Sequence, residues 1–171
     1  MRNVLMIVWA LASLTVGVAG CVQNQNDVTL LTNASDSPIE ACQRVLDALA
    51  NSDTTAMHSL RITRFEHDSL LVPNMPIGKA EAGTTDLAYA WFLLEQNNIK
   101  GVRRAIDDYG GRTFRVVSIG FTKPVQQHGP VTLHKGTEVM AEDSTGNEIP
   151  LPIFGSVIEH GGKFKVVSIR D

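Results

Sequence analysis

The side chains able to act as acids, bases, nucleophiles or metal ligands are few and scattered. The chain has five histidines and two cysteines. His58 and His67 lie nine apart, and Glu66 and Asp68 flank the second. A histidine beside a carboxylate makes a general-base pair when both face one cavity. Neighbours in sequence usually point apart, so Glu66-His67-Asp68 reads as a solvated polar turn. His134 and Glu138 fall in a stretch with strand character and share a face if no bulge intervenes; a cross-strand surface pair is the plainer reading. His160 heads a Gly-Gly connection and reads as turn chemistry. Asp86, Tyr89 and Trp91 stand near the start of a helical segment. With His58 they are the candidates for lining an interior pocket, although aromatic residues at that spacing more often fill a core. Arg103-Arg104 and Asp107-Asp108 form i,i+4 pairs with the base first, the weaker order, as on a wet helix face. Cys42 has no histidine at metal-ligand spacing and reads as a small buried apolar residue. A phosphate-cradling glycine loop, CxxC, a nucleophile elbow and HExxH are all missing from the sequence. No cofactor, metal or catalytic residue is therefore expected.

Cys21 stands apart. It closes the stretch VGVAGC, residues 16–21, where an apolar run stops at a thiol. Arg2 precedes that run, which extends from Val4 to Val18 and includes Trp9. Its length of about 15 residues falls short of the roughly 20 that span a bilayer. A basic start, a short apolar centre and small residues before a cut are the layout of a secretory signal. The small residues let the chain lie extended in a peptidase cleft. Val18-Ala19-Gly20-Cys21 resembles the bacterial lipobox. The resemblance implies a diacylglyceryl group on the Cys21 sulfur, cleavage between Gly20 and Cys21, and acylation of the new amine. Each buried methylene contributes about 0.8 kcal/mol, and two or more chains hold a protein stably where one does not. Val22 follows the cysteine, where an aspartate in Gram-negative lipoproteins resembles a retention mark for the inner membrane. Its absence points to the periplasmic face of the outer membrane if the host is Gram-negative. A plain signal peptide with an incidental cysteine and an uncleaved anchor are the alternatives.

Composition bounds the rest. Loss of residues 1–20 from the 171 leaves 151, enough for one domain with a real core. Arg2 is the only charged residue removed, which leaves 14 basic side chains against 18 acidic. That balance gives no electrostatic footprint for nucleic acid and no polybasic patch for anionic lipid. With Cys21 acylated, Cys42 has no disulfide partner.

The elements that must position any site follow from periodicity. Residues 21–36 are polar apart from an isolated VTLL and read as a lipidated tether. Ser37-Pro38-Ile39-Glu40 is a capping box with proline at the first helical position. Ile39, Cys42, Val45, Leu46 and Leu49 then recur at helical spacing. Asn51-Ser52-Asp53 ends that helix and caps a shorter one containing Ala56, Met57 and Leu60. Arg61–Phe65 fits a strand or a helical continuation. Pro73, Pro76, Gly78 and Gly83 predict an irregular loop. A third helix begins near Thr85-Asp86, breaks at Asn97-Asn98, restarts with Ile99, Val102, Ile106 and Tyr109, and stops at Gly110-Gly111. Beyond it the period becomes two and predicts four strands. These are Phe114–Phe121, with Val117, Ile119 and Phe121 on one face; Val131–Glu142, open to interruption at Lys135-Gly136; Glu148–Glu159; and Lys163–Arg170. Asp143–Asn147 is turn chemistry. Pro150 and Pro152 lack an N–H on the same side, so the third strand starts at an edge or a bulge. FRVVSIG (114–120) nearly repeats as FKVVSIR (164–170). The flanks do not match, so two strands of one sheet in like environments explain the echo better than duplication.

Helices followed by antiparallel strands imply an α+β fold. ALANSDTTAMHSL (48–60), YGGRTFRVVSI (109–119) and HGGKFKVVSI (160–169) make the chain similar to the nuclear-transport-factor-like superfamily. That resemblance implies N-terminal helices on a curved, four-stranded, cystatin-like sheet enclosing a cone, in one domain over residues 37–171. In enzymes of that superfamily the cone places Asp, His or Tyr in an apolar pocket, while many relatives have no activity. The expectation is a non-catalytic envelope module that holds a small apolar ligand or an envelope protein. A cone-fold isomerase or hydrolase and an assembly subunit with an exposed apolar patch are the alternatives.

Overall fold

The computed structural model describes residues 30–75 and 87–170. The signal segment, Gly20 and Cys21, the loop residues Pro76, Gly78 and Gly83, and the Thr85-Asp86 start of the third helix lie outside them. Within the described residues the fold is α+β, with helices first and two antiparallel sheets after.

Helix α1 spans Pro38–Ala50. Ser37 Oγ accepts from Glu40 N at 3.1 Å, as the capping box requires, while Glu40 turns back to Asp36 N at 2.8 Å. Cys42, Val45, Leu46 and Leu49 are fully buried, whereas Ile39 lies outside the apolar stripe at 46% exposure. Asp53 caps α2 (Thr54–Ser59) by accepting from Ala56 N at 2.9 Å. Thr63 opens α3 (Arg64–Glu66), which runs on as a π-helical turn, His67–Leu71, and a 3-10 turn, Val72–Asn74. Of Arg61–Phe65, open between strand and helix, Arg64 and Phe65 are helical and Arg61 makes an isolated bridge to Val166; Glu66–Asp68 and Pro73, expected in a turn and an irregular loop, are helical as well.

Helix α4 runs unbroken from Leu87 to Tyr109. The expected break at Asn97-Asn98 does not occur, and the reason is tertiary. Asn98 is completely buried, and its carboxamide pairs with backbone beyond the helix: Oδ1 accepts from Ile169 N at 2.8 Å and Nδ2 donates to Val167 O at 3.4 Å. A side chain that would compete with the helix elsewhere is here spent on a strand.

The strands are β1 (Phe114–Phe121), β2 (Gln126–His128), β3 (Val131–Lys135), β4 (Thr137–Asp143), β5 (Glu148–Leu151), β6 (Phe154–His160) and β7 (Lys163–Ile169). They form a three-stranded sheet, β1-β4-β5, and a four-stranded one, β2-β3-β6-β7. The expected second and third strands are therefore each divided between two sheets. The division has a backbone cause. Gly136 has φ +69 and is buried, and a Cβ there would meet Thr122 Oγ1 at 2.3 Å. Before this corner Lys135 pairs with Ser156; beyond it Val139 pairs with Leu151. Residues 136–138 thus face residues 152–155, one more on the opposite strand, and the extra residue turns the hairpin from one sheet into the other. Pro150 falls on β5, the outer strand of its sheet, as its missing N–H implied.

A register shift between Val116 and Ser118 also corrects the expected face of β1. Phe114 and Val116 point inward with Ile119 and Phe121, while Val117 is exposed. The two echoing strands, β1 and β7, lie in different sheets rather than one. What they share is an outer position capped by a helix carboxamide. Gln43 donates to Phe114 O at 2.9 Å and accepts from Val116 N at 2.7 Å, as Asn98 does on β7. Ser35 exchanges two backbone hydrogen bonds with Phe164, and Ile62 N donates one to Val166 O, so the free edge of β7 is covered there.

Two apolar clusters result, on opposite faces of the four-stranded sheet. One joins α1 and α2 to Val102 and Ala105 of α4 and to Phe114, Phe154, Val157 and Val166. The other gathers Leu31, Ile62, Leu70 and Leu71 over Val131, Leu133, Ile158 and Val167, with Trp91 and Leu94 of α4 against it. Helix α4 therefore crosses the edge of β7 midway. Asn98 and Gly101 stand at that crossing. Leu31, Thr32 and Ser35, expected within the tether, pack onto the domain.

Candidate functional site

Glu66 and Lys165, on a short helix and a strand, form a fully buried ion pair. Lys165 Nζ donates to the two Glu66 oxygens at 3.0 and 2.9 Å and to Thr32 Oγ1 at 3.3 Å. Glu66 also accepts from Thr32 N at 2.6 Å, Thr32 Oγ1 at 3.0 Å and Thr63 N at 2.7 Å. The expected solvated turn at Glu66-His67-Asp68 is thus overturned: Glu66 is 0% and His67 5% exposed. The capping box at Thr63 draws the carboxylate inward, and Lys165 meets it there. Burial alone would raise the Glu66 pKa, but the Thr63 N–H, the Lys165 ammonium and the Thr32 N–H outweigh it and hold the group below its ordinary 4.5. Burial, joined by the Arg44 charge, lowers the Lys165 pKa against the upward pull of Glu66. A carboxylate depressed in the fold stabilises above its unfolded pKa and loses that contribution as pH falls through its folded one. Urea midpoints are expected to fall on acidification below about pH 4.5, and to fall less steeply in Glu66→Gln. An equally steep acid limb in that variant would contradict the assignment.

A second polar group lies where α2 and α4 meet. Arg61, 3% exposed, donates through Nη2 to Glu95 Oε1 at 2.7 Å and to His58 Nδ1 at 2.6 Å. Accepting at Nδ1 leaves the His58 proton on Nε2. Burial, then the Arg61 charge, lowers the His58 pKa. His58 is therefore held as a neutral donor. It lines a shallow groove with Thr54, Ile99, Val102 and Arg103. Arg61 Nη1 and Glu95 Oε2 are buried without a partner.

The other candidates disperse. Trp91 is half-buried and meets the edge of His67 at 5.4 Å, while His67 Nδ1 pairs with Asp68 at 2.7 Å. Tyr89, expected in the core with it, is 58% exposed. A half-buried Trp91 falls short of the 3–5 kcal/mol that truncating a core tryptophan costs. Asp86 and the lipobox lie outside the described residues. His134 does not pair with Glu138, because Gly136 sends Glu138 into the other sheet. It bonds Glu159 across the strands at 3.0 Å and stacks on Phe121 at 4.7 Å. His160 bonds Pro130 O at 3.1 Å, across to the turn between β2 and β3 rather than within its own Gly-Gly turn. Cys42 is wholly buried, and burial pushes its thiol up to about 12. Arg103, Arg104, Asp107 and Asp108 are all exposed.

Glu138 instead opens onto a groove of about 500 Å3 on the outer face of the three-stranded sheet. Met140 lies between Ser118 and Pro150 across the strands, and Gly120, Pro152 and Arg170 complete the walls. An acid and a base thus flank an apolar floor.

Sequence reasoning missed Arg61, Glu95, Lys165 and the groove. The available signal was Lys165 alternating with apolar residues in a strand whose two faces both read as buried. Among the described residues no group of three or more His, Cys, Asp or Glu could hold a metal ion, and no helix is long and apolar enough to cross a membrane. The chain matches no protein-family model, no curated protein and no solved structure.

Proposed function

We propose that this chain is a bacterial lipoprotein, anchored through acylated Cys21 in the cell envelope, whose domain binds a partner molecule rather than transforming one. In a Gram-negative host the place is the periplasmic face of the outer membrane. The groove over Met140 carries the binding half of this reading. It is open, apolar in its floor, and flanked by Glu138 and Arg170, which suits an extended peptide of an envelope protein or a small apolar ligand with a charged end. The cone resemblance belongs with the same proposal. Helices before strands, and a closing HGGKFKVVSI strand packed under α4, support it.

The enzyme alternative needs an acid–base set converging on a cavity. Lys165 and Glu66 are consumed by each other, and Arg61 holds His58. Phe114, Phe154, Leu46, Leu49 and Met57 fill the interior. A photo-crosslinking residue in place of Met140, in the full chain in its host, is expected to yield a discrete envelope adduct that the same residue at exposed Lys100 does not. Equal adduct patterns at the two positions would contradict the groove's role.

A further inference from the structure

The outward face of α4 changes character along its length. Its second half shows the exposed charges Lys100, Arg103, Arg104, Asp107 and Asp108. Its first half shows Tyr89, Phe92 and Leu93, 58%, 53% and 45% exposed, and the sequence from Leu87 to Leu94 contains no charge. Phe65 is 67% exposed and Leu30 36%.

The turn that carries Phe65 and the first half of α4 both lie beside residues 31 and 32, where the chain leaves toward Cys21. Thr32 N bonds Glu66, the residue after Phe65, at 2.6 Å. Leu31 is buried in the cluster against which Trp91 and Leu94 of α4 pack. Leu30 lies nine positions beyond Cys21, so their covalent reach is at most about 30 Å. An acylated Cys21 therefore holds this end of the domain close to the bilayer.

We infer that Phe65, Tyr89, Phe92 and Leu93 form a membrane-contact face that rests in the interfacial zone of the bilayer holding the anchor. The inference rests on the lipid-anchor reading above and adds the domain's orientation to it. The chemistry is that of an interfacial helix: aromatic rings and leucine enter the headgroup boundary, and charged residues stay on the wet side. With no charge in the first half of the helix face, neutral phosphatidylcholine suffices. A second copy of the chain suits the patch less well. These few side chains offer a few hundred Å2, against the roughly 800 Å2 per partner of a stable interface.

The test uses the protein purified with its lipid from its host, carrying Phe92→Trp in a Trp91→Phe background. Trp9 leaves with the signal, so residue 92 is the sole tryptophan, excited selectively over Tyr89 and Tyr109 at 295 nm or above. In phosphatidylcholine vesicles with acyl chains brominated near the headgroup, emission is expected to fall at least two-fold relative to unbrominated vesicles. Adding Tyr89→Asp and Leu93→Asp should restore it while the protein still floats with the vesicles. An acylated, co-floating protein whose emission ignores the bromine would overturn the proposal and leave the anchor standing. The same insensitivity with a blue shift as protein density rises would also overturn it, in favour of self-association. A chain without acyl mass would bring down the anchor and this orientation together.

Discussion

Replacement of Lys165 by methionine is expected to destabilise the fold by about 3 kcal/mol, and Glu66→Gln by closer to 5 kcal/mol, since losing one member of a buried pair strands the other. The order follows from the remaining partners. Without Lys165, Glu66 keeps the N–H groups of Thr32 and Thr63 and the Thr32 hydroxyl. Without the Glu66 charge, Lys165 keeps a neutral amide and one hydroxyl at 3.3 Å. The amide's own N–H2 would also confront two backbone donors. Urea unfolding of both variants measures this directly. Losses under about 1 kcal/mol in both would mean that water reaches the pair and that it is worth what surface pairs are worth.

The second large effect has a sign opposite to the usual one. Glycine to alanine inside a helix ordinarily gains about 1 kcal/mol. At Gly101 a Cβ would stand 2.4 Å from Ile169 O, 2.6 Å from Arg170 O and 2.8 Å from Arg170 C, all backbone atoms. Helix α4 touches β7 through this residue. The added methyl must lift the helix and, with it, the Asn98 carboxamide from Val167 and Ile169. Gly101→Ala is expected to cost about 3 kcal/mol, the upper end for overpacking. That corresponds to a melting temperature lower by about 10 °C in a domain of this size. A variant melting at or above the parent would show that α4 and β7 are not in contact at this point.

Both effects sit where local sequence was least informative. The capped start of α1, the Asn-Ser-Asp junction, the Asp143–Asn147 turn and Pro150 on an outer strand were legible, because each depends on a few neighbouring residues. Asn98 was not. Its local preference says break, and its hydrogen bonds to a strand 69 and 71 residues away say continue. The Glu66–Lys165 contact spans 99 residues, and nothing adjacent to either residue announces the other. The two-sheet arrangement turns on the positive φ of Gly136 and on one extra residue opposite it, which a period-two pattern passes over. The candidate pocket suffered in the same way. His58, Tyr89 and Trp91 were grouped by residue type, but Arg61 draws His58 inward, His67 meets Trp91, and Tyr89 faces out. The groove over Met140 arises from strand pairing and has no mark in any one segment.

Membrane attachment through Cys21 remains the claim on which function, place and orientation all depend. Intact and N-terminal-peptide mass spectrometry of the protein purified from its host tests it most directly. The expected species begins at Cys21 and carries a diacylglyceryl group with an acylated amine, and Cys21→Ser accumulates as an uncut, unacylated precursor. A wild-type chain that begins at another residue with no lipid mass, or a Cys21→Ser chain processed and acylated like the parent, would contradict the account.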